Sequence, residues 1–368
     1  MNVLVFNVGS TTLKYACIDP AAGRRIAGGI VDRIGQTDGD AATHADAARI
    51  AIEQVGDTLF SAIGHRIVQG GDQFQQPTLV DAGVLDRLKQ LDSLAPLHNP
   101  PARQVVESLL HVDVPQTLVF DTAYFATLLP DAYLYAIPEW VYRQHGVRKY
   151  GFHGTSHQFV TQRALEFLGG ETSTLKIITM HLGGGASITA SVGGMAVDTS
   201  MGMTPLEGLV MATRCGDIDA AVPLYLIREA GMTADEVDTL LNKQSGLVGL
   251  CGSSDMRTVL QRCGQGDQSA TQAVEIYVRR IIKAIGSYYA LLGGIDALVF
   301  TAGVGEHSAE IRQRVTSPLR HLGIAVDPVL NETCGGDVTE ITAADATART
   351  LVIPTDEELA IARQVRMG

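Results

Sequence analysis

Short apolar runs alternate with amphipathic stretches along the chain. Val3–Phe6, Thr117–Phe120 and Ala297–Phe300 each combine Val, Leu or Phe over a few residues, which is typical of buried β-strands. Gln268–Leu292 repeats its apolar positions at helical spacing and predicts a long amphipathic helix. Strands that alternate with helices in this way predict the α/β class.

The same pattern predicts the remaining elements. Residues from 19 to about 43 are polar and irregular, and no element is predicted there. Short strands are predicted at 13–18, 62–68 and 351–354, and helices at 45–56, 81–91, 99–110, 217–230, 233–241, from about 306, and at 356–367.

Two similar hairpins occur about half a chain apart. The first is Asn7-Val-Gly9-Ser10-Thr11-Thr12-Leu-Lys14, and the second is His181-Leu-Gly183-Gly184-Gly185, 174 positions later (181 minus 7) in a chain of 368 residues. Glycines let backbone N–H groups approach phosphate oxygens, and hydroxyls and lysine add further donors. A single turn of this kind is most often only a turn. A repeated one favours a duplicated nucleotide-binding body and phosphoryl transfer.

Bulk composition limits the class of protein. A chain of 368 residues predicts two domains, and 46% hydrophobic with 18% charged residues is typical of a well-packed globule. The net charge of −12 argues against nucleic-acid or anionic-membrane partners. No signal-peptide pattern and no apolar run long enough for a membrane span is present, so neither is expected. Five scattered cysteines without a CxxC pair predict reduced thiols in a cytoplasm, with no zinc site and no disulfide framework.

Two arginines and two carboxylates are candidates for chemistry on anions. Arg66 and Arg214 lie in glycine-containing segments, and a guanidinium matches two oxygens of a carboxylate or phosphoryl group. The alternative for each arginine is a structural ion pair. Asp121 and Glu357 follow predicted strands and could serve a divalent metal, with helix capping as the alternative.

Four histidines, His65, His98, His153 and His181, lie near glycine or proline, unlike ordinary core histidines. His153 and His157 have the i, i+4 spacing of a zinc pair, but HExxH and a third ligand are missing, so zinc is disfavoured. Hydrogen bonding to a developing phosphoryl charge is the favoured role. Neither the P-loop motif nor the protein-kinase motifs occur, and a Rossmann dehydrogenase is disfavoured because GxGxxG is missing from the opening strand.

Motifs over nearly the whole chain resemble the acetate kinase family. In chain order they are Asn7-Val-Gly9-Ser10, Gly64-His-Arg66, Ala95-Pro-Leu-His98, Phe120-Asp121, Tyr150-Gly-Phe152-His153, the segment from Asp198 to Gly208, Arg214-Cys-Gly-Asp217, Ser253-Ser-Asp-Met-Arg257, Phe300-Thr-Ala-Gly-Val-Gly-Glu306 and Glu357-Glu-Leu-Ala.

The resemblance implies a fold and an activity. The fold would be α/β, with two duplicated RNase H-like domains of the actin, Hsp70 and sugar kinase type and an active-site cleft between them. The first domain is expected at 1–125 plus 359–368 and the second at 126–358. The activity would be reversible transfer of the ATP γ-phosphoryl group to acetate, giving acetyl phosphate and ADP. A propionate or butyrate kinase, or a variant that uses pyrophosphate, is the alternative within the class.

The resemblance also implies roles for individual residues. Catalysis would involve Asp121, Arg66, Arg214 and His153, with His98 and His181 supporting the transition state. Mg²⁺ or Mn²⁺ would be bound by Asn7 and Glu357. ATP would be bound by Ser10, Thr12, Lys14, His181, Gly183, Gly184, Gly185, Gly303, Val304 and Gly305. The acyl pocket would consist of Val68, Leu97, Phe152 and Pro205 beside Arg66.

Three positions depart from the family pattern. Gly184 replaces an asparagine, His307 replaces another, and Asp356 replaces a third beside Glu357. These changes are expected to tune nucleotide or phosphoryl-donor preference. The family expectation is a homodimer, with the helix at 268–292 as a candidate interface. A non-catalytic nucleotide switch of the actin or Hsp70 kind is the rival class, and it would need neither the two arginines nor an apolar acyl pocket.

Overall fold

The chain divides into two compact units in a computed structural model that describes residues 2–56 and 58–365. The first unit lies within Met1–Ala126, Phe152–Phe159 and Asp356–Gly368, and the second comprises Thr127–Gly151 and Val160–Thr355. Among the described helices, none combines the length and apolar character needed to cross a bilayer.

The first unit is built on a six-stranded sheet in the order β3-β2-β1-β4-β6-β5. β1, β4 and β6 run parallel, while β2, β3 and β5 run antiparallel to their neighbours. All residues of β1 and β6 are buried, as expected for strands covered on both faces. The strands are β1 (Val3–Val8), β2 (Leu13–Asp19), β3 (Arg24–Val31), β4 (Ala62–Ile67), β5 (Thr78–Leu79) and β6 (Gln116–Phe120).

Helices of the first unit begin where the sequence supplies caps. The Thr43 hydroxyl accepts from the Asp46 amide at the start of α1, and Asp81 accepts from the Val84 amide at the start of α2. Prolines occupy the first turn of α3, where a missing N–H costs nothing. These helices are α1 (His44–Val55), α2 (Ala82–Gln90) and α3 (Asn99–Ser108), with 3-10 turns at Asp92–Leu94 and Ala123–Thr127.

The second unit repeats the same sheet. Its order is β11-β12-β10-β7-β8-β9. Read from the β9 end, this is the order of the first sheet, with β7, β10 and β12 in the places of β1, β4 and β6. Each neighbouring pair is parallel or antiparallel as in the first sheet. The strands are β7 (Lys176–Leu182), β8 (Ala186–Val192), β9 (Met195–Thr199), β10 (Ala297–Thr301), β11 (Thr339–Glu340) and β12 (Arg349–Val352).

The longest helix of the second unit, Gln268–Leu292, matches its predicted bounds. Asp267 caps its first turn, and Gly293 ends it in the left-handed conformation at φ 66°. The helices after α3 are α4 (Pro130–Tyr133), α5 (Glu139–His145), α6 (Gly154–Leu168), α7 (Ala221–Arg228), α8 (Ala234–Lys243), α9 (Gly246–Cys251), α10 (Met256–Gly264), α11 (Gln268–Leu292), α12 (Ala302–His307), α13 (Ala309–Thr316) and α14 (Pro328–Thr333), with a 3-10 turn at Ser317–Leu322.

The final helix, α15 (Glu357–Gln364), packs on β1 and β2 of the first unit. Its Leu359, Ile361 and Ala362 are buried with Val3 and Val5 in a small apolar cluster. The predicted end of this helix at Met367 lies outside the described residues.

Two identical sheet orders confirm the α/β class and the duplication. The irregular stretch predicted up to residue 43 contains β3 instead, a strand whose outer face is exposed and therefore lacks a continuous apolar run. The helix predicted from about 306 is α13, which begins at Ala309. A short helix that was not predicted, α12, precedes it from Ala302, so the glycines at 303 and 305 lie in a helix rather than in an open loop.

The units of the structure differ from the expected domain boundaries at residue 126 and at two short segments. Residues 152–159 group with the first unit, because a Cβ on Gly154 would lie 1.9 Å from the Asp121 carbonyl oxygen and α6 therefore begins directly against that strand end. Residues 356–358 also group there, because Glu357 is hydrogen-bonded to Asn7 of β1.

The packing of α15 on β4 predicts opposite effects for two glycine substitutions. A Cβ on Gly64 would lie 2.8 Å from Val365 Cγ2 and 2.9 Å from Ile361 Cγ2, whereas one on Gly286 within α11 meets nothing within 4 Å. We expect Gly64→Ala to destabilise by about 1–3 kcal/mol through overpacking. Gly286→Ala should stabilise by roughly 0.5–1 kcal/mol through helix propensity. Thermal unfolding of both variants is the measurement, and equal midpoints would contradict the packing.

Candidate functional site

A buried ion pair joins two strand ends of the first unit. Arg66 is the penultimate residue of β4. It donates from Nε to Asp121 Oδ1 at 3.0 Å and from Nη2 to Asp121 Oδ2 at 2.6 Å. Asp121 directly follows β6, its side chain is 1% exposed, and it also accepts from the Thr155 hydroxyl at 3.3 Å. The carboxylate therefore fixes the plane of the guanidinium.

Asn7 and Glu357 complete this cluster. Arg66 Nη1 donates to Asn7 Oδ1 at 2.9 Å, and Asn7 Nδ2 donates to Glu357 Oε2 at 3.1 Å. Glu357 Oε2 also lies 3.9 Å from Arg66 Nε. Burial alone would lower the pKa of Arg66, but the charges of Asp121 and Glu357 outweigh it and raise that pKa. Arg66, Asp121, Asn7 and Glu357, which were predicted for one site, are thus held together. Arg66 also forms the structural ion pair that was its alternative role.

His153 occupies a strained backbone position beside this cluster. Its φ of 57° is in the left-handed region, which a non-glycine residue seldom adopts. The following Gly154 has no room for a Cβ because of the Asp121 carbonyl. The chain therefore turns sharply into α6 at this point.

The first hairpin turn presents its predicted ligands at the surface. The Gly9 amide closes this turn by donating to the Thr12 carbonyl at 2.8 Å. Lys14 pairs directly opposite Asn7 in the β1–β2 ladder, so both side chains lie on one face of the sheet. Ser10 and Lys14 are exposed, and Thr12 is half-buried.

The predicted acyl-pocket residues are divided between the units. Val68 and Phe152 are buried and Leu97 is 52% exposed, all in the first unit, whereas Pro205 belongs to the second. His98 and Leu97 precede α3, whose Asn99 was missed by the sequence analysis. Asn99 Nδ2 donates to the Gln69 carbonyl at 2.9 Å, and the Gln69 amide donates to Asn99 Oδ1 at 3.1 Å. This pair of hydrogen bonds fixes α3 to the turn after β4.

A cavity of about 570 Å³ lies in the second unit, beside the second hairpin turn. Gly183 and Gly184 line it together with Gly303 and Val304 of α12, so four predicted ATP-binding residues share one space. Its size is that of an ordinary small-molecule site. Gly305 does not line it: a Cβ there would lie 3.4 Å from the Phe300 carbonyl carbon, so this glycine serves the packing of α12 on β10.

The opposite walls of the cavity come from residues that the sequence analysis did not select. Met256 and Leu260 of α10 supply apolar surface, and Arg257 and Asp255 supply an exposed ion pair at 2.7 Å. Tyr277 of α11 also lines it. The Ser253–Arg257 segment was part of the family resemblance, and that was the one signal that could have identified these residues.

Arg214 of the second unit carries a charge that no carboxylate of the described residues compensates. Its Nη1 donates to the Pro205 carbonyl at 2.7 Å, and burial lowers its pKa. The Ala212 amide donates to the Gly184 carbonyl at 3.1 Å, which ties this segment to the glycine turn. The ion-pair alternative is therefore wrong for Arg214 within the described residues. A partly desolvated guanidinium of this kind favours an anionic ligand.

His65 is a core residue of the first unit. It is 1% exposed, stacks on Phe6 with ring centroids 5.6 Å apart, and its Nε2 lies 2.8 Å from Gln116 Oε1. Burial lowers its pKa to about 4. The expectation that it is unlike an ordinary core histidine was wrong, because alternation along β4 turns it to the face opposite Arg66.

Comparison with known proteins gives one consistent result. A family model described as the acetokinase family matches residues 2–363. The chain is 45% identical to an acetate kinase of Streptomyces coelicolor, over 98% of this chain and 95% of that protein. A crystal structure of Porphyromonas gingivalis acetate kinase superimposes with a TM-score of 0.92 at 38% identity, covering 98% of each chain. A propionate kinase from Francisella tularensis superimposes with a TM-score of 0.92 at 36% identity, covering 99% of this chain and 98% of that one.

The buried His65 predicts a pH-dependent loss of stability. Between pH 6.5 and about 4 the unfolded imidazole binds a proton that the folded one does not, so stability falls as pH is lowered through this window. The slope attributable to one such group approaches about 1.4 kcal/mol per pH unit. We expect His65→Gln to flatten the dependence of the unfolding free energy on pH, measured by urea unfolding. His111 is exposed, and His111→Gln should leave that dependence unchanged. Parallel profiles for wild type and His65→Gln would refute this.

Proposed function

Because the chain belongs to the acetokinase family, we propose that it catalyses the reversible transfer of the γ-phosphoryl group of ATP to acetate, which gives acetyl phosphate and ADP. The observation that carries this proposal is Arg214, a partly buried cation without a carboxylate partner in the described chain, attached through Ala212 to a glycine turn. Such a site is suited to an anionic, phosphate-bearing substrate. A nucleotide switch would not need an arginine of this kind.

In this proposal Arg66 binds oxygens of the acceptor or of the transferring group. Three hydrogen bonds to Asp121 and Asn7 use three of the five N–H donors of a guanidinium. Two donors remain for a ligand, in a plane already fixed by the protein. Such preorganisation lowers the reorganisation cost of stabilising charge in the transition state. Asp121 thus contributes by orienting Arg66, and His153, His98 and His181 would hydrogen-bond the phosphoryl oxygens.

A divalent cation, Mg²⁺ or Mn²⁺, would neutralise charge on the nucleotide phosphates. No group of three His, Cys, Asp or Glu residues able to hold a metal exists in residues 2–56 and 58–365, so most ligands would be phosphate oxygens and water. The donor set fits that kind of site, since the Glu357 side chain is 18% exposed. Asn7, whose amide contacts both Arg66 and Glu357, would orient the carboxylate as well as offer its own oxygen.

Nucleotide recognition is assigned to the cavity beside Gly183 and Gly303, whose apolar wall at Met256 and Leu260 suits a heterocyclic base. Ser10, Thr12 and Lys14 of the first hairpin and the turn around Gly185 would bind phosphates. A Cβ on Gly184 would meet nothing within 4 Å, so the asparagine of the family pattern would fit there. The missing amide side chain is therefore a change of donors, which we expect to tune nucleotide affinity.

Acetate is the preferred acceptor in this proposal, and propionate is the second candidate. Val68 and Phe152 are bulky and buried, which favours a short acyl chain. Because the chain is structurally similar to a propionate kinase at 36% identity, propionate must be tested as an acceptor as well. One methylene changes selectivity by only about 1–3 kcal/mol, so both acids belong in the same assay.

We also propose a homodimer and a cytoplasmic location. α7 is an apolar helix with no buried residue, and its Val222, Leu224 and Tyr225 are 40%, 49% and 65% exposed. A second copy of the chain would cover this face, since exposed apolar patches of this kind favour association. α11 is a weaker candidate, because nine of its residues are already buried in its own unit. The cytoplasm is suggested by five cysteines that are all unpaired.

The activity is tested by trapping the acyl phosphate as its hydroxamate, with ATP, Mg²⁺ and either acetate, propionate or butyrate. We expect kcat/KM to be about tenfold or more higher for acetate than for propionate. Arg214→Ala should lower kcat by about 10²–10³-fold, since an oriented donor to the transition state is lost. Arg143→Ala, which removes an exposed arginine paired with Glu139, is the control and should leave kcat unchanged. ATP binding without hydroxamate from any acid would refute the proposal.

The α7 face is tested by sedimentation velocity. Tyr225→Asp introduces a charge into the proposed contact and should convert a dimer to a monomer. Val329→Asp, at a residue of α14 that is 70% exposed, is matched in chemistry and should leave the dimer intact. A Tyr225→Asp variant that sediments like the wild type would exclude this face as the interface.

A further inference from the structure

We propose that His44 is a positioning residue for the first phosphate turn, Gly9–Thr12, and that it acts by fixing the peptide plane between Gly9 and Ser10. The inference rests on the proposed function, because it assumes that this turn binds phosphate.

His44 is the first residue of α1, and it reaches the hairpin from outside it. It is 9% exposed, and its Nε2 lies 3.0 Å from the Gly9 carbonyl oxygen. A carbonyl can only accept, so Nε2 must carry the proton in this contact. The interaction therefore assigns Nε2 as the nitrogen that donates to the turn.

The contact determines where the next amide points. A peptide unit is planar and trans, so the Gly9 C=O and the Ser10 N–H point in opposite directions. Holding the carbonyl against His44 therefore points the Ser10 N–H away from His44. Within the described chain the Ser10 and Thr11 amides donate to no other residue. Both residues are exposed, so two amides are available to an anion.

Two further carbonyls of the turn are also fixed. Thr12 O accepts from the Gly9 amide at 2.8 Å, and Thr11 O accepts from the Ile34 amide at 2.9 Å. Of these three contacts, the one at Gly9 alone depends on a side chain, so it can be removed by mutation without changing the backbone sequence of the turn.

The second unit has the same arrangement with a different donor. Gly184 O accepts from the Ala212 amide at 3.1 Å, and the Gly183 amide donates to Gly185 O at 2.9 Å. In each unit a carbonyl of the glycine turn is therefore held by a group outside the hairpin. At Gly9 this group is an imidazole, and at Gly184 it is a backbone amide.

The helix that carries His44 is rigidly packed. Thr43 caps its start, and Ala47, Ala48 and Ala51 are fully buried in the core of the first unit. A side chain on such a helix can hold a turn in place because its own position is set by the core.

The test compares ATP with adenosine, which lacks the phosphates, by isothermal titration calorimetry on the full chain. His44→Leu removes the donor, and His44→Gln retains an N–H near the position of Nε2. We expect His44→Leu to weaken ATP binding by about tenfold, the loss expected of one oriented hydrogen bond to a charged group, and to leave adenosine binding unchanged. His44→Gln should stay within about threefold of the wild type for both ligands.

A purely structural role is distinguished by a second variant on the same helix. Ala47→Gly should lower the unfolding midpoint while the ratio of ATP to adenosine affinity stays that of the wild type. Equal loss for ATP and adenosine in His44→Leu, or no loss for either, would overturn the inference, as would a wild type that does not bind ATP. The hydroxamate assay decides the proposed activity separately, since a wild type that is active with acetate leaves that proposal intact whatever His44→Leu does.

Discussion

The buried pair of Arg66 and Asp121 constrains the rest of the first unit. A carboxylate that is 1% exposed needs a compensating charge, and removing one partner of such a pair typically costs about 3–5 kcal/mol. The pair spans the ends of β4 and β6, so both strands must keep their register. Asn7 and Glu357 extend the same network to β1 and α15. The segments that hold the cluster together lie far apart in the chain.

Glycine provides a second constraint, because it allows backbone to approach backbone where chemistry is expected. Gly154 lets α6 begin against the Asp121 carbonyl, and Gly305 lets α12 lie on β10. Left-handed backbone at His153 and at Ala302, with φ of 57° and 63°, occurs where the chain turns into these two helices. Both units thus combine a mixed six-stranded sheet, parallel at its centre, with turns whose amides remain available to ligands.

Several features were predictable from local pattern. Apolar runs located β1, β6 and β10, and the pattern of apolar and polar positions located α1, α2 and α11, because these signals depend on neighbours in sequence. β3 was missed, since two arginines and two glycines interrupt its apolar positions and its exposed Ile26 and Ile30 stand apart from each other. Asn99, His44 and the α10 wall of the cavity were missed for another reason. Their roles arise from contacts with segments 30 or more positions away, as between Gln69 and Asn99 or Gly9 and His44.

The sequence by itself determined the α/β class, the duplication and the family, because periodicity and motif spacing are carried by consecutive residues. It also supplied the arginines, histidines and carboxylates as candidates. Only the tertiary structure decided which of them act together. It paired Arg66 with Asp121 and left Arg214 without a carboxylate among the described residues, and it buried His65 in the core. The physical reason is that charge compensation and burial depend on distances between remote segments, which composition and local pattern do not contain.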